Sequence, residues 1–153
     1  MEITNINVPV TLREYGRKDL DFITSIENKL EKPFNVHNNL YFNGSWYNAY
    51  IIETKIGEQS IRLGYIIVHA VKNGEFLEYF IERVFVIPEY RNQGLATHAL
   101  KAAFIKMQEL NFTVIKVTKT PEIQNNAELI LILINLGFDQ EDGVYFLRKE
   151  SIC

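Results

Sequence analysis

Two long β-rich runs, Ser60–Val71 and Phe76–Ile87, flank Lys72-Asn73-Gly74-Glu75, and this arrangement constrains the fold more than any other stretch of the chain. Asn-Gly suits a type I′ turn, whose twist matches that of paired strands, so the runs are predicted to form an antiparallel hairpin. Pro88 ends the second run because it has no N–H for a ladder. Tyr47–Thr54, rich in Tyr and Ile and followed by a turn at Gly57, predicts a further strand. The apolar/polar alternation of Val8–Glu14 predicts another. Between these two, Leu20, Ile23, Ile26 and Leu30 recur at helical spacing over Arg17–Glu31, and Pro33 stops the helix. Phe34–Asn43 fits a short helix and a loop.

The pattern changes after Arg91. Leu95, Leu100, Ala103, Phe104 and Met107 form a helical stripe within Gly94–Leu110, and Phe112–Lys119 is a short β-rich run. Leu129–Ile134 is aliphatic throughout and has no period, so a buried strand competes with a helix there. Asn125 or Asn126 as a cap and Gly137 as a stop favour the helix. Phe138–Glu141 and Val144–Arg148 flank Asp142-Gly143, a second hairpin signal. The chain shows no repeat or linker. The expectation is one α/β domain over residues 1–153, with a largely antiparallel first half and a βαβ crossover in the second.

At 153 residues the chain is long enough to bury a core without staples. Its single cysteine, Cys153, leaves no internal disulfide and no cysteine metal cluster. The net charge is −3, and no Lys/Arg stripe marks a nucleic-acid partner. The N-terminus does not read as a signal peptide, and no apolar run approaches the ~20 residues of a membrane helix. A soluble, cytoplasmic protein is expected. His37, His69 and His98 have no metal-ligand spacing, and no metal is expected.

The segment from Val84 to Thr97 carries the chemistry. A strand ends at Pro88, a loop holds Arg91 and Gly94, and a helix starts at once. The first turn of a helix offers unpaired backbone N–H groups and the positive end of the dipole, a setting suited to phosphate. Gly94 and Ala96 keep side-chain bulk away, and Arg91 adds a charge. The plainer reading is a strand-to-helix turn with an exposed Arg.

Arg91-Asn92-Gln93-Gly94-Leu95-Ala96 resembles motif A of the GNAT superfamily of N-acetyltransferases: Gln or Arg, two residues, Gly, one residue, then Gly or Ala. Val86-Ile87-Pro88-Glu89-Tyr90 is similar to the family's lead-in, and Asn126 precedes Gly137-Phe138 at a spacing often found there. The element order is similar over nearly the whole chain. The resemblance implies a mixed, mostly antiparallel sheet flanked by helices and splayed between the strand ending near Val86 and the one starting near Phe112. It implies acetyl-CoA as cosubstrate. The amides of Asn92, Gln93, Gly94, Leu95, Ala96 and Thr97 would hold the pyrophosphate, with Arg91 beside them. Backbone of Val84, Phe85 and Val86 would pair with the pantetheine arm, and Asn126 would contact it. A backbone N–H near Val86 would face the thioester carbonyl.

The implied reaction is direct attack of a primary amine on the thioester. Such an amine is mostly protonated at neutral pH, so a base is needed. Glu82 is the candidate, and strand alternation places it on the face of Val84 and Val86. Its plain reading is a strand Glu paired with Arg62 or Arg83, and a water chain is the other route. The family often has a Tyr four residues before the Gly of Gly-Phe; here that residue is Leu133. Tyr145 and Tyr90 are other phenols. Asn35–Tyr47, with four aromatics, reads as an acceptor lip or as cover for the sheet edge, and His37 could reach an acceptor from it. Open sheet edges fit a homodimer. Leu133 keeps a second expectation alive, a non-catalytic acyl-CoA-binding or sensing domain.

Overall fold

The computed structural model describes residues 8–36, 39–40, 46–89 and 95–149, without the side chains of Pro121 and Glu122. Arg91, Asn92, Gln93 and Gly94 lie outside these residues, as do Tyr90, His37 and Cys153. The elements run β1 (Val10–Glu14), α1 (Leu20–Glu27), β2 (Tyr47–Ile56), β3 (Gln59–Asn73), β4 (Phe76–Val86), α2 (Leu95–Met107), β5 (Val114–Thr118), α3 (Pro121–Gln124), α4 (Ala127–Asn135), β6 (Asp139–Glu141) and β7 (Val144–Arg148). They form a seven-stranded sheet in the order β1-β2-β3-β4-β5-β7-β6. Among the described strands only β4 and β5 pair in parallel, which the crossover through α2 requires.

The hairpin between β3 and β4 forms, but its turn is not the predicted one. Asn73 pairs with Phe76 as the last residue of β3, so the loop is Gly74-Glu75. Gly74 has φ 64° and, among the described residues, no non-glycine has positive φ, which matches a type II′ rather than a type I′ turn. Leu129–Ile134 is helical. Leu129, Ile132 and Leu133 are buried while Leu131 and Ile134 are exposed, a period no strand would show. Asn126 caps α4, its Oδ1 accepting the N–H of Leu129 at 3.1 Å.

Helices cover both faces of the sheet. On one face the α2 stripe of Leu95, Ala99, Ala103, Phe104 and Met107 joins Leu129 and Leu133 of α4 over Ile66, Val68 and Ile115. On the other, Ile23 of α1 packs with Val36, Ala49, Ile51, Tyr65 and Ile67. Each such aliphatic side chain gains about 1.5–3 kcal/mol by leaving water. The α1 helix is shorter than predicted, because residues 17–19 form a 3₁₀ turn. The buried Asp19 carboxylate accepts from Arg13 at 2.8 and 3.1 Å and from the Gly16 N–H at 2.7 Å. Arg62 lies 3.0 Å from it.

Candidate active site

The β4–β5 ladder is short. It runs from Glu78↔Val114 to Ile81↔Val117, while β4 continues against β3 to the pair Gly64↔Val86. Among the described residues the two strands therefore part after Ile81, where the splay is expected. The cause lies in β4 itself. Ile81 pairs with Val68 and Arg83 with Ile67, so Glu82 is an extra residue in a β-bulge that bends the strand. A cavity of about 630 Å³ fills the split. Glu82–Val86 form one wall, Thr118 and Thr120 another, and Ala96, Leu100, Asn126 and Leu129 line it from α2 and α4.

Gly64 keeps this wall in place. A Cβ there would lie 1.9 Å from the carbonyl oxygen of Phe85, so only glycine lets β3 approach β4 this closely. Sequence reasoning passed over Gly64, because nothing local distinguishes a glycine needed for close approach from a weak strand residue.

The bulge corrects the predicted parity of Glu82. Val84 and Val86 pack with the α2 side of the core. Arg83 faces α1 instead, in contact with Glu27 and the Lys32 carbonyl. The exposed Glu82 acts on Tyr47, which packs with the α1 cluster. Burial first, and then the charge of Glu82, raise the Tyr47 phenol above its ordinary pKa. The extra residue resets the alternation, so Glu82 is separated from the face of Val84 and Val86. The cavity draws lining from both faces, with Leu30 after α1 and Leu100 on α2.

Next to the bulge is a buried polar knot. The Glu27 carboxylate accepts from the Phe34 N–H at 2.8 Å and from the Tyr65 hydroxyl. Arg83 contacts both of its oxygens at 3.1 Å and donates to the Lys32 carbonyl at 2.7 Å. The position of Glu27 in the helical pattern does not show that its carboxylate faces an arginine on β4.

At the other end of the cavity, Ala96 and Asn126 both reach the lining, in the first turn of α2 and at the cap of α4. Thr97 Oγ1 donates to Glu128 at 2.8 Å, tying the two helix starts together. Leu95 is buried in the core. Small Ala96 leaves room beside the backbone, and β4 beyond Ile81 runs along the split. These features suit an extended amide-bearing arm ending in phosphate.

Leu133 is fully buried in the core and does not line the cavity. Tyr145 is also buried, its hydroxyl 3.5 Å from Gln124 Oε1. His98 Nε2 lies 2.8 Å from the Val8 carbonyl, a structural contact that requires a donating Nε2–H. Among the described residues no three His, Cys, Asp or Glu side chains group as a metal site. No described helix is long and apolar enough to cross a membrane.

Comparison with known proteins agrees with this geometry. A mutant of the spermidine N-acetyltransferase SpeG from Vibrio cholerae has a TM-score of 0.65 at 17% identity, over 91% of this chain and 93% of that one. The NatC complex bound to Gag peptide and CoA has a TM-score of 0.63 at 19% identity, over 92% and 99%. NAA60 of Arabidopsis thaliana, in complex with a bisubstrate analogue, gives 0.61 at 14% identity, over 90% and 96%. At such identities these structures show a shared fold. Among curated proteins none matches in sequence. The model of the acetyltransferase (GNAT) family matches residues 19–131, and the chain belongs to that family.

Proposed function

We propose that the protein is a soluble, cytoplasmic enzyme that transfers the acetyl group of acetyl-CoA to a primary amine. The observation that carries this reading is the cavity through the β4–β5 split, with Glu82 on the bulge beside it. Acetyl-CoA would supply an acetyl thioester there. Residues 92–97 would bind its pyrophosphate with Arg91, and the Val84–Val86 edge and Asn126 would align its arm. Glu82 would take the ammonium proton of the acceptor, directly or through water. The amine nitrogen then bonds to the acetyl carbon as the carbon–sulfur bond breaks, and the leaving thiolate takes up the second nitrogen proton, directly or through water. Glu82 is exposed, so an acceptor can reach it.

One observation favours a second reading, non-catalytic acyl-CoA binding: a core leucine, Leu133, stands where the family often has a phenol. Thiol release from acetyl-CoA across a panel of amines separates the two. Amine-dependent release that falls about 10²–10⁴-fold in Glu82→Gln supports catalysis with Glu82 as base. Binding without release supports the second reading. Tight binding of CoA by Gly94→Glu would overturn the cofactor assignment itself.

A further inference from the structure

The register that builds the sheet also aligns one side chain from each of six strands. Tyr47 lies opposite His69, His69 opposite Phe80, and Phe80 opposite Lys116. Lys116 in turn lies opposite Phe146, and Phe146 opposite Asp139 on the edge strand. Directly paired residues share a face, so these side chains form one row across the sheet, on the face where Tyr47 meets the α1 cluster. The row is joined by ring contacts. Tyr47 stacks on His69 at 4.6 Å and 19°, Phe80 follows at 6.3 Å, and Lys116 Nζ sits 5.4 Å from the Phe80 centroid. Phe34 closes the Tyr47 end edge-on at 5.0 Å.

Its position gives the row a use. Phe80↔Lys116 is one rung before Ile81↔Val117, where β4 and β5 part. Glu82 follows Phe80 by two residues, at the bulge. A molecule with its amine at Glu82 and its body on this face therefore lies over the rings. The two ends of the row differ in chemistry. Toward β5 and β7 it meets Lys116, which holds Glu78 at 2.9 Å, and Arg148, stacked 5.3 Å over Phe146. The carboxylates of Glu78 and Asp139 share this end of the row with Lys116 and Arg148, so its charges balance and offer a second ammonium no net attraction. Toward β2 it meets flat rings.

We propose that this row is the floor of the acceptor site and selects an amine with a single ammonium held one or two carbons from a flat apolar group, against polyamines. The proposal rests on the acetyl-transfer reading above. A small arylalkylamine and a peptide with an aromatic N-terminal residue share this chemistry.

The test compares kcat/KM for 2-phenylethylamine, the tripeptide Phe-Ala-Ala and spermidine, in the parent, Phe80→Ala and Phe80→Leu. The expected result is at least tenfold preference for one of the two aromatic amines over spermidine, the preferred one naming the source. Phe80→Ala should lower that preferred kcat/KM about 10–100-fold, through KM, while spermidine and the acetyl-CoA Kd change little. Phe80→Leu, which keeps an apolar floor, should recover part of the loss. Preference for spermidine, or an equal loss for all amines at unchanged acetyl-CoA affinity, overturns the proposal while leaving acetyl transfer standing. Should no amine be turned over, the transfer reading fails, and the His69 ring-proton signals still decide on the row. Shifts at lower concentrations of 2-phenylethylamine than of spermidine uphold it, and the reverse order or equal response overturns it.

Discussion

Arg83, the residue after the bulge, contacts both oxygens of the buried Glu27 carboxylate at 3.1 Å, joining the strand that bends to the last turn of α1. Both groups have left water, and removing one partner strands the other. Glu27→Ala should therefore cost about 3–5 kcal/mol, the range for a broken buried pair. For a domain of this size that is a fall in Tm of roughly 6–20 °C, read by calorimetry. Glu27→Gln, which still accepts from the Phe34 N–H, should lose less.

Gly64→Ala tests the close approach of β3 and β4. The added methyl meets backbone, which cannot rotate away, so the strands must separate at Phe85. We expect a loss of about 1–3 kcal/mol in urea unfolding, and weaker acetyl-CoA binding by calorimetric titration, because the displaced segment forms the cavity wall. Unchanged affinity in a destabilised protein would show that this wall does not hold the cofactor.

Asn126 has two assigned roles, and substitutions separate them. Asn126→Ala should lose about 0.5–2 kcal/mol as the cap of α4 disappears. Asn126→Ser keeps a capping oxygen and should restore most of that stability. If the Asn126 amide also contacts the cofactor arm, both variants should bind acetyl-CoA more weakly, with Ser rescuing the fold and not the affinity.

Asp19 makes the fold acid-sensitive. Burial alone would raise its pKa, but the hydrogen bonds from Arg13 and the Gly16 N–H, with the charges of Arg13 and Arg62, hold it below the ordinary value. A carboxylate depressed in the folded state contributes stability above its unfolded pKa of about 3.9 and loses it as pH falls through the folded value. Urea midpoints should therefore drop below about pH 4. Asp19→Asn should be less stable at pH 7 and show a shallower acid slope.

A leucine at position 133 leaves no phenol there to ionise. Turnover should hold a plateau up to about pH 10, where a tyrosine acid would begin to fail. Because Leu133 is fully buried, Leu133→Tyr should overpack the core by about 1–3 kcal/mol and gain no turnover. An increase of orders of magnitude would instead mark the parent as a crippled enzyme.

The sequence made some of these features legible and hid others, for physical reasons. Asn73-Gly74 and Asp142-Gly143 marked both hairpins because turn chemistry is local, although the pairing partner moved the first turn along by one residue. The Asn126 cap and the helix over Leu129–Ile134 were legible for the same reason. Parity misplaced Glu82, since counting by twos assumes an unbroken ladder and a bulge depends on the partner strand. The Glu27–Arg83 pair and the Gly64 contact are set by residues far apart in the chain. The aromatic row required the register of six strands, which no single stretch contains.

The narrow junction of the sheet has a consequence for cooperativity. Among the described residues, four rungs between β4 and β5, the bonds between Leu77 and Thr113, the Lys116–Glu78 pair and the packing of α2 on α4 connect the β1–β4 meander to the β5–β7 segment. Opening free energies in a protein follow such contiguous units. Amide exchange should therefore release β5–β7 as a block before β2–β4. A ligand bound in the split against both β4 and β5 would join the two blocks, and at a hundred times its Kd it would add about 2.7 kcal/mol against unfolding. A split that admits a cosubstrate would make the chain's integrity depend on how much of it is present.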